Sequence, residues 1–234
     1  MALPKLETAT YELVLPSTSK KIKFRPWLVK EQKILMMAQE SEDDAQIEQA
    51  FANIVSACTF GKIDPYETPL FDIEYIFLQL RSKSVGEKVK LLLTMPSDGE
   101  TTVEHELDLS KVAVQMEEEH SNIVDVTDDI KMVMRYPKLA DMQNISADGQ
   151  IKVIFEMVKN CVHEIHDGET IHNKIDMSDN ELEEFIESMS TEHFTSLSTF
   201  FETMPKLVHE MKVKNPKTKK QESVRVEGLR SFFD

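Results

Sequence analysis

Apolar and polar residues alternate over residues 9–15 and again over 20–25, with Pro16-Ser17-Thr18-Ser19 between the two runs. Period-two patterning on either side of a turn cluster predicts a β-hairpin. Trp27, the only tryptophan, follows Pro26 and is placed to anchor that hairpin to a core. The period then lengthens. Leu28, Ile34, Leu35 and Ala38 predict a helix from about Val29 to Gln39. Ile47, Phe51, Ile54, Val55 and Cys58 predict a second from about Asp44 to Thr59, capped by Ser41 or Asp43 and ended by Gly61.

The most strongly patterned stretch is Phe71 to Glu87, FDIEYIFLQLRSKSVGE. Leu70, Ile73, Phe77 and Leu80 share one helical face, and Tyr75, Ile76 and Leu78 widen it. Thr68 reads as the N-cap and Pro69 as the first helical residue. Asp72 and Glu74 suit the positive end of the dipole, Arg81 and Lys83 suit the negative end, and Gly86 is the stop. So wide an apolar surface on so short a helix predicts cover on most sides. Nothing in it is arranged for chemistry.

After Gly86 the pattern returns to period two. Strands are predicted at 88–94 and 101–109 around Pro96–Gly99, at 111–114 and 123–126, and from Ile130 to Tyr136. A helix is predicted over about 148–165 with Gly168 beyond it. Ser178 is read as capping a helix through Ser188, and Thr191 one through Glu202 that stops before Pro205. MKVKNP and ESVRVEG predict a last hairpin around Pro216–Lys220, before a helical turn ending in Phe232-Phe233. LLLTMPSDGETTVEHELDLSKV and MKVKNPKTKKQESVRVEGLRSFF share one layout: strand, Pro turn, polar strand, short exit. The fold class is therefore α+β, with about six helices and several antiparallel β-hairpins. It is one compact domain, 1–234, or two lobes, 1–136 and 147–234, divided at PKLADMQNISA.

Composition narrows the function. No run of about 18 apolar residues predicts a membrane span, and the N-terminus lacks the pattern of a signal peptide. Cys58 and Cys161 sit in apolar helical patterns, as buried free thiols made in a reducing cytoplasm. A net charge of −15 argues against general nucleic-acid binding and favours basic partner surfaces. The exception is Lys206 to Arg225, with seven Lys or Arg against two Glu. Six glycines leave no Gly-rich phosphate loop, and the 13 methionines serve as core filler or as an adaptable binding surface.

The strongest chemical candidate is Cys161-Val162-His163-Glu164-Ile165-His166, with His172 nearby. On a helix, His163 and His166 would face the same way, and imidazoles with a thiolate are zinc ligands. The spacing is one residue short of His-Glu-x-x-His, and a site needs three or four converging ligands. A metal-dependent enzyme on His163, His166 and His172 is therefore the alternative function. The acidic run EEEH at 117–120 and Asp125 to Asp129 reads as a solvated face. The lysine-rich hairpin has no interleaved aromatics for base stacking. It reads as a solvated tip or as a contact for an acidic partner, and a third, weaker reading is a nucleic-acid accessory protein that uses these lysines and binds with a steep salt dependence.

Three segments carry a resemblance. The opening MALPKLETATYELVLPSTSKKIKFRPWLVKEQKILMMAQES, with its P-x-L-V-K-E-x-K, the central 71–87 helix and the ending VEGLRSFFD resemble a family of baseplate hub assembly proteins of T-even-type contractile-tailed bacteriophages. The resemblance spans most of the chain. It implies a non-enzymatic protein that assembles the hub, as chaperone or subunit, in the host cytoplasm or within the virion tail. Its partners would be other hub or tail-core proteins, with no membrane, nucleic acid, cofactor, metal or catalytic residue involved. The expected contacts are Leu229, Phe232 and Phe233 at the end of the chain and Lys217, Lys219 and Lys220 on the last hairpin. The oligomeric state is not legible. In that family such hairpin tips resemble zinc knuckles with Cys-x-x-Cys pairs. Here they read Met95-Pro96-Ser97-Asp98 and Asn215-Pro216-Lys217-Thr218, so packing alone is expected to hold them.

Overall fold

A computed structural model describes residues 6–41, 43–143 and 150–228. The chain forms two compact units, one of residues 1–115 with 206–234 and the other of 116–205. The chain thus leaves the first unit, builds the second, and returns. The stretch 137–147, where composition suggested a division, falls within the second unit. Secondary structure is α+β, with seven helices and eleven strands among the described residues, all strand pairs antiparallel.

In the first unit, β1 (Tyr11–Val14) and β2 (Lys21–Phe24) form the opening hairpin. Trp27 anchors it as expected: its N–H donates to Ser84 Oγ at 2.9 Å and its indole N–H to Gln32 Oε1 at 2.8 Å. Helices α1 (Val29–Glu40) and α2 (Asp44–Cys58) follow. Asp43 caps α2, accepting from the Ala45 N–H at 2.9 Å. Helix α3 (Leu70–Ser84) is covered on most sides, with Phe71, Asp72, Ile73, Ile76, Phe77, Leu78, Leu80 and Ser82 all buried. Phe77 stacks on Phe51 with ring centroids 3.8 Å apart and lies 5.3 Å from Trp27. The cap differs from expectation. Pro69 is the cap residue, and the Thr68 hydroxyl instead donates to the Asp64 carbonyl at 2.7 Å. Strands β3 (Lys88–Thr94) and β4 (Thr102–Asp108) pair as a hairpin, and β5 (Ala113–Gln115) ends this part of the chain.

The second unit is a four-stranded sheet with helices. Its strands are β6 (Ile123–Asp125), β7 (Ile130–Met134), β8 (Val162–Asp167) and β9 (Thr170–Asn173), in that order across the sheet. Between β7 and β8 lie α4 (Leu139–Gln143) and α5 (Gln150–Cys161). After β9 come α6 (Asp179–Glu187) and α7 (Thr191–Thr203). Ser178 caps α6 and exchanges hydrogen bonds with Glu181 in a capping box. Ser190, rather than Thr191, caps α7 through the His193 N–H. The core joins Met132, Met134, Val158, Cys161, Val162, Ile165, Leu182, Ile186, Leu197 and Phe200.

The helix expected over 148–165 stops at Cys161. Val158, Cys161, Val162 and Ile165 keep helical spacing, which is why the periodicity runs on. Long-range pairing decides the matter: Ile130–Met134 offers β8 a partner, and the tight turn at Gly168 (φ 57°) folds β9 back on it.

The chain then re-enters the first unit as β10 (Lys206–Lys214) and β11 (Gln221–Glu227), giving a sheet in the order β11-β10-β5. Lys206 pairs directly with Gln115. The points where the chain leaves and re-enters are thus neighbours across one antiparallel pair, about 5 Å apart. Replacing 116–205 by Asn-Gly, a dipeptide suited to a two-residue turn, is therefore expected to leave a first unit that unfolds in one cooperative transition. Urea denaturation followed by far-ultraviolet circular dichroism checks this. A broad, non-cooperative loss of signal would show that the first unit needs the insertion.

One device occurs in both units. Arg25 follows β2, and Arg135 follows β7. The Arg25 N–H donates to the Cys58 carbonyl at the end of α2 at 3.0 Å, and the Arg135 N–H donates to the Cys161 carbonyl at the end of α5 at 2.7 Å. Each guanidinium binds the acid six residues on: Arg25 to Glu31 at 2.9 Å, and Arg135 to Asp141 with two bonds of 2.7 Å. Each acid also accepts the N–H three residues before it, from Leu28 at 2.7 Å and Lys138 at 2.8 Å. Strand, arginine, acid-capped helix, second helix and cysteine thus recur in the same order, tying each strand exit to two helices.

Candidate functional site

The residues expected to meet a partner fall in two places. Lys217, Lys219 and Lys220 sit at the tip of the β10–β11 hairpin. Leu229, Phe232 and Phe233 lie outside the described residues. Gly228, the last described residue before them, donates its N–H to the Leu207 carbonyl at the opposite end of the hairpin. Seven residues of β11 separate the two points, roughly 20–24 Å of strand.

The tip owes its shape to Asn215-Pro216. The Asn215 side-chain oxygen accepts the N–H groups of Lys217 at 2.8 Å and Thr218 at 3.1 Å, a local turn typical of asparagine. The Asn215 N–H donates to the Lys220 carbonyl, and the Lys219 N–H to the Asn215 carbonyl, both at 2.9 Å. Lys219 takes a left-handed φ of 64°. The tip of the β3–β4 hairpin has the same plan, with Met95 before Pro96, the Gly99 N–H on the Met95 carbonyl and φ 66° at Gly99. The resemblance between these two hairpins is therefore a shared turn. A third copy escaped the sequence reading: Leu15 precedes Pro16, the Ser19 N–H donates to the Leu15 carbonyl at 2.8 Å, and Ser19 has φ 56°. Its signal in the sequence was the proline that opens all three turns, Pro16, Pro96 and Pro216. Leu15, Met95 and Asn215 are all buried.

Packing alone does not hold the tips. Ser97 gives its N–H and hydroxyl to the Glu222 carboxylate at 3.1 and 2.8 Å, and Asn215 Nδ2 donates to Ser97 Oγ at 3.1 Å. Lys217 Nζ lies 3.9 Å from Asp98 Oδ2. The Thr101 hydroxyl and N–H hold the Asp98 carboxyl down to about 2, so it stays charged opposite Lys217. Polar bonds thus join the β3–β4 and β10–β11 tips at the positions of the compared knuckles. The first tip uses the same serine device on another acid: Ser17 gives its N–H at 3.1 Å and its hydroxyl to buried Asp72.

The histidine cluster takes a form different from the one expected. His163 and His166 lie on β8 and His172 on β9, not on a helix. A register irregularity opposite Val133 and Met134 interrupts the alternation of β8, and Glu164 takes His166 at 2.9 Å and His163 at 3.6 Å. His172 pairs with Ile165, whose side chain enters the core, and so belongs to the other face from Glu164 and His166. Among the described residues, no three His, Cys, Asp or Glu side chains are arranged to hold a metal ion. Both cysteines are buried free thiols, and burial pushes Cys58 up to about 11 and Cys161 up to about 12. Thiolate chemistry near neutral pH is thereby disfavoured. His120 leaves the acidic run 117–120 to stack near Tyr136 and Phe200, with Nδ1 2.9 Å from Thr203 Oγ1. No helix among the described residues is long and apolar enough to cross a membrane.

What stands out among the described residues is therefore a set of braced, polar-tipped hairpins, an arrangement suited to protein contacts. The chain belongs to the T4 bacteriophage base plate protein family, whose family model matches residues 8–234. It is a baseplate protein of a T4-type phage. No curated protein and no solved structure matches the chain.

Proposed function

We propose that this baseplate protein acts without catalysis in assembling the baseplate hub, as an assembly chaperone or a hub subunit. It would do so in the host cytoplasm, through contacts with other hub or tail-core proteins. The observation that carries the reading is the latched pair of hairpin tips. Ser97, Asn215 and Glu222 fix them, so Lys217, Lys219 and Lys220 are presented on a rigid mount. Presenting charge on a pre-ordered surface lowers the entropic cost of association. Leu229, Phe232 and Phe233 supply the apolar part of the contact.

Tagged protein co-expressed with the remaining tail proteins of its phage is expected to retain a hub or tail-core protein at fixed stoichiometry in metal-free buffer. Absence of the tagged chain from finished particles would identify a chaperone, and its presence a subunit. Deleting 229–234 is expected to leave the thermal transition in place and abolish capture. Unchanged capture of every partner by the truncated chain would remove the end of the chain from the interface.

A further inference from the structure

A cleft of about 920 Å³ in the first unit is lined by β2, by the segment after α2, and by the start of α3. Lys20, Lys21, Lys23 and Lys62 line it, against Glu67 and Asp72. Asp72 is fully buried and bonded to Ser17, and burial pushes its carboxyl up from the ordinary value. The balance is positive in a chain whose net charge is −15. A local reversal of sign of this kind favours an anionic occupant.

The backbone of β2 defines the occupant further. The Leu15 N–H donates to the Lys20 carbonyl at 2.9 Å. That bond fixes the alternation along β1–β2: Ile22 and Phe24 turn their backbone groups to β1, while Lys21 and Lys23 turn theirs away. Arg25, next in the outward series, has its N–H on the Cys58 carbonyl. Among the described residues β2 pairs with β1 alone. The outward N–H and C=O groups of Lys21 and Lys23 therefore form an open strand edge beside the cleft. Across it stands Phe60, 51% exposed and held at a left-handed φ of 58°. An exposed phenylalanine in a conformation rare for large side chains is an apolar anchor set beside the four lysines.

We infer that this cleft receives an extended, acidic segment of another polypeptide, added as a strand to the outer edge of β2. Its carboxylates meet Lys20, Lys21, Lys23 and Lys62, and one apolar side chain packs on Phe60. Main-chain bonds supply affinity and the lysines supply selectivity, as in other strand additions. The inference goes beyond the hub role and does not depend on it, since neither the lysine hairpin nor residues 229–234 takes part.

The test is selection of displayed random dodecapeptides on the immobilised full-length chain, followed by hydrogen exchange with the enriched peptide. Acidic peptides carrying an apolar residue are expected. The double variant K21E/K62E should weaken their binding about tenfold or more, and the bound peptide should slow exchange of the Lys21 and Lys23 amides. Phe60→Ser provides a second variant outside the strand and should also weaken binding. Enrichment of basic or neutral peptides, or of none, would overturn the inference. So would unchanged exchange at Lys21 and Lys23. Binding of a thymidine dodecanucleotide that is lost in K21E/K62E would reassign the cleft to nucleic acid.

Discussion

Glu31→Ala is expected to destabilise the first unit by about 3–5 kcal/mol, because it leaves the Arg25 guanidinium largely buried without its partner. Glu31 is 3% exposed, binds Arg25 at 2.9 Å and accepts the Leu28 N–H at the start of α1. Arg25 also keeps its own N–H on the Cys58 carbonyl, so an arginine seeking water would pull on the end of α2. Urea denaturation of the full-length variant measures the loss. The double variant Arg25→Met with Glu31→Met, which removes both charges, is expected to recover most of it. The pH dependence has a defined sign. Burial works to raise the Glu31 carboxyl, but the hydrogen bonds from Arg25 and Leu28 and the charge of Arg25 outweigh it and hold the folded value below the ordinary 4.5. The folded state thus binds fewer protons than the unfolded state. The contribution is present above pH 4.5 and is lost as pH falls below it through the folded value. In Glu31→Ala this part of the acid sensitivity should be missing. An acid-unfolding profile parallel to that of the parent protein would contradict the assignment.

Phe77→Ala is expected to cost about 3–5 kcal/mol through lost burial and the cavity left behind. Phe77 is 1% exposed between Phe51 and Trp27, so neither α2 nor the opening hairpin can close the space without disturbing the other. Folded domains are stable by about 5–15 kcal/mol, so the change removes a large share. The readout is tryptophan fluorescence during urea unfolding, since Trp27 is the only tryptophan and reports on this unit. Phe77→Leu, which keeps much of the volume, should retain more stability than Phe77→Ala. Equal midpoints for the two variants would mean that packing at this site is not what holds the hairpin to α3.

Legibility followed the range of the interactions. Helix α3, the β3–β4 hairpin and the Ser178 cap were readable because periodicity, turn residues and caps act within a few residues. The strand β8 was not. Its Val158–Ile165 spacing suits a helix, and only pairing with β7, some thirty residues earlier, makes it a strand. The zinc-like reading of His163, His166 and His172 failed in geometry for the same reason, since it assumed helical side-chain directions. The lysine tip was legible in position, but its bracing depends on Ser97 and Glu222, 125 residues apart. The cleft beside β2 gave a partial signal, in the lysines of KKIK and GK. That the segments meet follows from α2 returning its end to Arg25.

The insertion of 116–205 also sets a timetable for synthesis. When the first 115 residues have left the ribosome, β10 and β11, whose Leu207, Met211, Val213, Val224 and Val226 complete the core of the first unit, have yet to follow. At synthesis rates of about 5–20 residues per second, the intervening 90 residues take roughly 5–20 s to appear. The second unit, continuous in sequence, can close within that interval, while the first waits with apolar surface open. Surface that is covered in the finished fold is thus open during that wait to aggregation and to host chaperones.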